Sequence, residues 1–418
     1  MKGKFCGYLC VVMSALLTVG CGGGKESSKR EIYMFISQPE YADAINTLIK
    51  EYKNVAPDIT INYETTQNDY PTLLKAKLNS GEAPDIFSST SGKEIETYKE
   101  YSLDLSDQPL VTDAMLPAVQ DTMKGANGQG VYGLAIKGNY FGLLYNMDLL
   151  KQVGVDSVPK TVDAMKDCVE KLNSAGIQAF TDGFAEWWVF KHVFQHFASA
   201  GVGDYQQFVA RMEKGEDSLK NYEIIDKGFF DFIDLVTKYG DAKPLESNLS
   251  TEVSAFGTKK AAIMVGQGVW EEADVLKIDP AINMQIAGYP VSNNPADCQV
   301  ITGSDQALRV NKDSKNLDAV LDFLNWWYTS DYGKSWFSDI AKVVLPIKSD
   351  APPASEITRQ GNDLVAKDGN ATLGIIYSTD SFHTAFGEAM QAYIGGITTK
   401  EETIKAIEEK WVSIDGRD

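Results

Sequence analysis

The chain has 418 residues with 39 basic and 58 acidic side chains, a formal net charge of −19, and an apolar fraction of 44%. So acidic a chain, with no basic run or stripe, repels polyphosphates and anionic headgroups, which excludes nucleic-acid binding and electrostatic attachment to a membrane. The apolar content is that of an ordinary globular protein and the length exceeds one typical core, so two domains are expected.

Lys2 and Lys4 precede a largely apolar run from Phe5 to Val19, the pattern of a secretory signal peptide. The run is too short to cross a bilayer and ends in Gly20-Cys21 instead of a basic stop-transfer cluster. Leu17-Thr18-Val19-Gly20-Cys21 resembles a bacterial lipobox, so residues 1–20 are expected to be removed and Cys21 to carry a diacylglyceryl group. The alternative is an ordinary signal peptide cut nearby. Loss of Lys2 and Lys4 takes the net charge from −19 to −21. Residues 21–30, with Gly22, Gly23 and Gly24 followed by polar residues, read as a flexible tether. The expected location is extracytoplasmic, lipid-anchored to the outer face of the cell membrane, and fits a Gram-positive surface. Of five cysteines, Cys6 and Cys10 leave with the leader, so Cys168 and Cys298 allow at most one bridge. Both are expected to be free and buried, Cys168 lying on the apolar stripe of a helix. Stability must therefore come from core burial.

Beyond the tether, Ile32-Tyr33-Met34-Phe35-Ile36 reads as a buried strand. Ile45, Leu48, Ile49 and Tyr52 follow at helical spacing until Pro57. Ile59, Ile61 and Tyr63 alternate as a second strand; Tyr70, Leu73, Leu74 and Leu78 mark a helix closed by Gly81; and Pro84-Asp85-Ile86-Phe87 opens a third strand. This β-α-β-α-β order calls for a parallel sheet covered by helices, with ligands beyond the C-terminal strand ends. The loops after Ile36 and Phe87 are therefore candidates, with Gln38, Glu40, Ser89 and Thr90 as their polar residues. Further helices are expected at Val162 to Leu172, Phe229 to Val236 and Leu317 to Tyr328, and short strands at Gly142 to Tyr145, Ala261 to Val265 and Met284 to Ala287. Trp326, Trp327, Trp336 and Trp411 sit in helical patterns and are assigned to the core.

Several landmarks recur in order. Ser80-Gly81-Glu82-Ala83-Pro84-Asp85-Ile86-Phe87 comes first, then Tyr132-Gly133-Leu134 and Leu144-Tyr145-Asn146-Met147-Asp148-Leu149-Leu150. Gly154 and Pro159-Lys160-Thr161 follow, then Ala255-Phe256-Gly257-Thr258-Lys259-Lys260-Ala261-Ala262-Ile263-Met264 with Gly268-Val269-Trp270. Together they resemble the extracellular solute-binding proteins of ABC importers, in the sugar-binding family that includes maltose-binding protein. Val162 departs from the Trp usual in that family. The resemblance implies an α/β, two-lobed periplasmic-binding-protein-like fold of type II, each lobe a sheet flanked by helices, with three hinge crossings. It places hinges near Ile136 to Gly138, Tyr289-Pro290 and Ile347 to Ala351. Lobe 1 would be residues 31–136 plus 290–347, and lobe 2 residues 137–289 plus 348–418. It further implies capture of a sugar in the cleft, closure about the hinges, and delivery to two permease subunits with cytoplasmic ATPases by a monomer that catalyses nothing and needs no cofactor.

A sugar needs flat aromatic surfaces and a few fixed donors and acceptors. Trp270 matches the family's cleft tryptophan, and Gln267 before it offers an amide. Trp187 and Trp188 are adjacent on a helix and cannot both face one way; the resemblance favours Trp188 for the cleft. It places polar contacts at Asn139 and Tyr140 after the first hinge, and a last contact region at Asp380, Phe382 and His383. Asp305 is a carboxylate able to accept from sugar hydroxyls. Each of these has a plainer reading as a core side chain or a solvated loop residue. His192 and His196, spaced i, i+4, have no acidic or cysteine partner to complete a metal site. Nucleophile-elbow, phosphate-loop and dinucleotide motifs do not occur in the sequence. An exported glycoside hydrolase stays open, because its two carboxylates need no motif; so does a binding protein for a charged solute, although no basic cluster is evident.

Overall fold

The computed structural model describes residues 30–116, 119–120, 122–125, 128–304, 306–350, 352–353, 355–368 and 378–413. The leader, Cys21, most of the tether, Asp305 and Ala351 lie outside the described residues. The chain is α/β, with two mixed sheets flanked by helices.

The first sheet has the order β2-β1-β3-β11-β4. β1 (Arg30–Ile36) is flanked by β2 (Ile59–Thr65) and β3 (Ile86–Thr90), both parallel to it. With neighbours on both edges and helices on its faces, β1 buries Met34, Phe35 and Ile36 in succession, without alternation. The Ala42–Val55 helix turns Ile45, Leu48 and Tyr52 inward. The Tyr70–Ser80 helix ends where Gly81 takes φ +80°, the left-handed stop that a side chain would strain. The β-α-β-α-β pattern thus gives the expected parallel strands. β11 (Gln306–Val310) and β4 (Leu134–Ala135) depart from it: β11 runs antiparallel to both β3 and β4. β11 follows directly on the strand Ile301–Gly303 and not on a crossover helix, so nothing imposes the parallel direction.

The second sheet has the order β7-β8-β6-β9. β7 (Gln178–Thr181) and β8 (Ala261–Met264) are parallel, and β6 (Leu143–Asn146) lies antiparallel to β8 and to β9 (Met284–Ala287). Between the sheets, β5 (Asn139–Phe141) pairs antiparallel with β10 (Ile301–Gly303). Two chain passages therefore cross side by side. A third runs close by, where Gly138 N donates to Val344 O at 2.7 Å. After it, the Glu356–Asp368 helix packs on β9, Gln360 bonding the backbone at Met284 and Ile286.

Each sheet has its own core. Around the first, Trp327, Trp336, Tyr328 and Phe337 fill the space beneath the Leu317–Thr329 helix, and Trp336 Nε1 donates to Ala44 O at 2.7 Å. Around the second, the Trp187–Gly201 helix packs Val189, Val193 and Phe197 among Phe382, Phe386 and Trp411. Tyr289 and Val291 belong to this second core. Trp327, Trp336 and Trp411 are fully buried, and Trp326 is half-buried, stacked on Tyr332. Cys168 and Cys298 are buried and unbridged; burial pushes the Cys168 thiol up to about 11, with Asp167 adding to the shift.

Candidate functional site

The register places the C-terminal ends of β1 and β3 and the start of β11 along one edge, since Phe35 lies opposite Phe87 and Thr90 opposite Gln306. In the second sheet, β7 and β8 end together, Thr181 opposite Met264. These edges face one another across a cavity of about 200 Å³. One wall is Ser37, Gln38 and Glu40 after β1, Tyr70 at the head of its helix, and Gln306. The other is Trp187, Trp188, Lys191 and His192 from one helix, Trp270 and Glu271 after β8, and Asp380. Lys137 lines it from the segment before β5. A second cavity of about 300 Å³ shares Glu40, Trp270 and Asp274 with the first.

Trp270 is placed by its loop. Gly268 bridges to Phe141, and a Cβ on Gly268 would lie 2.3 Å from the Trp270 ring and 2.3 Å from Tyr140 O, so only glycine lets the ring fold back there. Phe141 meets the ring edge-on at 5.0 Å, and Lys137 Nζ sits 5.3 Å from its centroid. Trp187 and Trp188 both reach the cavity, Trp187 half-buried and Trp188 almost fully buried. The amide oxygens of Gln38 and Gln306 have no donor among the described residues. A buried acceptor left so costs about 1–3 kcal/mol, which a ligand hydroxyl would offset.

Charge in the cavity is self-neutralised. Lys137 and Lys191, 6% and 5% exposed, pair with Glu40 at 3.2 Å and Asp380 at 3.4 Å. The sequence shows no basic cluster because these lysines lie far apart along the chain. Burial alone would raise the Asp380 carboxyl, but the Lys191 ammonium and the contact with His383 at 3.6 Å hold it below the usual range. Glu271 goes the other way: burial, then the carboxylates of Asp274 and Glu40, push it up to about 8, so at neutral pH it is largely protonated. Burial and then Lys191 push His192 well below its usual value. Its Nδ1 lies 2.8 Å from Gly266 O, and a carbonyl only accepts; Nδ1 therefore carries the proton and Nε2 is left as an acceptor.

Of the candidates read from sequence, Gln38, Glu40, Trp188, Trp270 and Asp380 come together on this cavity. The others lie behind it. Gln267 is buried and its amide donates to Glu252 at 2.7 Å. Asn139 is buried in β5. Tyr140 packs against Gly361 and directs its hydroxyl to Asn362. Ser89 Oγ donates to Thr90 O at 2.8 Å and accepts from Arg309. Thr90 N donates to Glu94. His383 lies behind Asp380, which it meets at 3.6 Å, and Phe382 is core, against Trp411. Sequence reading missed Lys137, Lys191, His192 and Glu271. Helical spacing held a signal for two of them, since Lys191 and His192 stand four residues after Trp187 and Trp188 and so share their faces. His196, four further on, packs against Tyr289 in the core, ring centroids 4.3 Å apart and tilted by 34°. Among the described residues no group of side chains is arranged to hold a metal ion, and no helix is long and apolar enough to cross a membrane.

Comparison with known proteins gives a consistent result. The family model described as "Bacterial extracellular solute-binding protein" matches residues 37–334. The melibiose/raffinose/stachyose-binding protein MelE of Bacillus subtilis (strain 168) is 23% identical over 343 residues, which cover 78% of this chain and 76% of that protein. Among solved structures, a sugar transporter from Bacillus licheniformis in complex with stachyose superposes with a TM-score of 0.78 at 16% identity, over 92% of this chain and all of that one (100%). The solute-binding protein RafE in complex with raffinose gives 0.77 at 15% identity, over 93% of this chain and 100% of that one.

Proposed function

The chain belongs to the bacterial extracellular solute-binding proteins, a family that binds and does not catalyse, and from that premise we propose that it captures a neutral oligosaccharide between its two sheets for delivery to an ABC importer. The observation that carries this reading is the cavity itself. Tryptophans 187, 188 and 270 offer ring faces, Gln38, Gln306 and His192 offer acceptors, and each lysine already has its own carboxylate. Such a surface suits hydroxyls and C–H faces better than a net charge. The relatives whose names or titles mention raffinose and stachyose support the same ligand class.

In this reading the two sheets with their cores are lobes, hinged at residues 136–138 and near residues 347–350, with the third hinge drawn along β10 in place of the Tyr289-Pro290 that the resemblance implies, because Tyr289 and Val291 pack in the second core. Closure about these passages buries the ligand and presents a distinct surface to the permease subunits, with their cytoplasmic ATPases behind. The lipobox would hold the protein to the outer membrane face through Cys21 alone, as a net charge of −21 repels anionic headgroups.

A thermal-shift screen against melibiose, raffinose, stachyose, amino acids and polyamines tests the ligand class. A saccharide at 100 times its Kd should add about 2.7 kcal/mol of stability, and the sugar should be recovered intact. A shift with a polyamine or amino acid and with no saccharide would overturn the reading. Release of reducing ends over time would replace it with the glycosidase.

A further inference from the structure

Glu94 lies on the Lys93–Thr97 helix beside the first sheet, 4% exposed. Its carboxylate bonds in two directions. Oε2 accepts from Thr90 N at 2.8 Å on its own side, and Oε1 accepts from Asp380 N at 3.0 Å on the other. Asp380 opens the 15-residue Asp380–Ile394 helix, whose side chains Phe382, Phe386 and Met390 belong to the second core. The first backbone N–H groups of a helix have no partner within it. Thr379 Oγ1 satisfies the one at Phe382, at 3.3 Å, and Glu94, from across the molecule, satisfies the one at Asp380.

Glu94 is held in place from behind. Arg309, fully buried on β11, donates to the Glu94 carbonyl at 3.2 Å and the Ile95 carbonyl at 2.9 Å, and its Nε donates to Ser102 Oγ at 2.8 Å. The residue Glu94 grips leads into the site, since Asp380 lines the cavity and pairs with Lys191, which lines it too. Among the described residues, and apart from the chain passages with their Lys137–Glu40 pair, Lys93 with Glu213 and Asn68 with Glu186 at 3.2 Å also join the sides, but these lie at the wetter rim. Burial and then the Asp380 carboxylate push Glu94 up to about 7, so the bonds do not depend on a full charge; exposed ion pairs contribute little, whereas losing a buried bond strands the N–H it satisfied.

We propose that Glu94 is the positioning residue that latches the two lobes shut: it caps the Asp380–Ile394 helix from the opposite lobe, fixing Asp380 and Lys191 around the ligand and prolonging its stay. This rests on the two-lobed capture reading above and adds the residue on which closure turns. Glu94→Gln keeps the shape but leaves one acceptor oxygen for two N–H groups. Glu94→Asp keeps the carboxyl but is one methylene too short to span both, and guards against a folding defect in the first variant.

Hydrogen exchange of the full chain in detergent, without ligand, reads the latch directly. In both variants exchange should quicken on the order of tenfold at residues 380–383 and also at 38–41 and 188–192, on both walls of the cavity, while 193–198 in the second core stays as in the parent. Lys93→Ala should change these segments far less. With any saccharide that stabilises the parent, Glu94→Gln should raise the off-rate and leave the on-rate alone. Unchanged exchange on both walls, or quickening confined to 380–383, overturns the latch, the latter marking a local cap. Because this readout needs no ligand, a failed sugar screen beside a positive exchange result would sink the sugar reading and leave the latch standing.

Discussion

Trp270 reaches the cavity because Gly268 has no Cβ, and its ring is half-buried against Phe141 with one face toward Lys137. Removing it should therefore affect binding more than folding. Trp270→Ala is expected to weaken saccharide binding by about 2 kcal/mol, roughly thirtyfold in Kd by calorimetry, with little change in the ligand-free melting temperature. Tyr140 makes the contrast. Its hydroxyl meets Asn362 and its ring fills the small core of Leu144, Phe256 and Ile357, so Tyr140→Phe should lose about 1 kcal/mol of stability and no affinity. Sequence could not separate these two, since both stand in loops or short strands beside glycines. Trp270 was legible because a glycine pair, a strand before it and a helix after it leave a large ring few places to go. The direction of Tyr140 depends on Gly361, more than 200 residues away. The pairing of Lys137 with Glu40 and of Lys191 with Asp380 was hidden for the same reason, the partners being distant in the chain and near only in the fold.

At the scale of elements, local order was legible where neighbours in sequence are neighbours in space. Apolar runs and alternation gave β1, β2 and β3, and helical spacing ending at Pro57 and Gly81 gave the helices between them, but no local pattern could give β11 its antiparallel place between β3 and β4. Also hidden was the junction where β7 meets the end of the Phe230–Tyr239 helix. There Asp182 and Asp241 exchange bonds, Asp182 N to Asp241 Oδ2 and Asp241 N to Asp182 Oδ2 at 3.4 Å, while Thr181 and Ser247 donate to Asp241. Burial and then the Asp241 carboxylate push Asp182 up to about 7. A carboxyl raised on folding contributes fully below its unfolded value and loses that contribution as pH rises through the folded one. Stability should therefore decline between about pH 4 and 7, from the unfolded value to the folded one. Asp182→Asn should flatten that decline by a few kcal/mol at the alkaline end, measured as urea midpoints across the range. It should not abolish it, because Glu271 and Glu252 are raised by burial in the same sense. A slope unchanged in the variant would show that the Asp182 carboxyl does not titrate there.

For the whole molecule, the decisive fact is that, among the described residues, two cores, one under Trp327 and Trp336 and one around Phe197 and Trp411, share few bonds besides the chain passages and the contacts through Glu94, Lys93 and Asn68. Cores joined so sparsely need not unfold together. Without ligand, calorimetry should give a total enthalpy larger than the van't Hoff value, the mark of two partly independent units. If the proposed saccharide binds between Gln38 and Glu40 on one wall and Trp188 and Trp270 on the other, it would add its binding energy only while both lobes are folded, and so would couple them. The two enthalpies should then converge as ligand is added, and converge less in Glu94→Gln, where one bridge is weakened before the sugar arrives. Equal enthalpies in the ligand-free protein would mean that β5, β10 and the passage beside Gly138 weld the lobes into one cooperative body. Closure would then have to proceed by bending those strands and not by swinging about them.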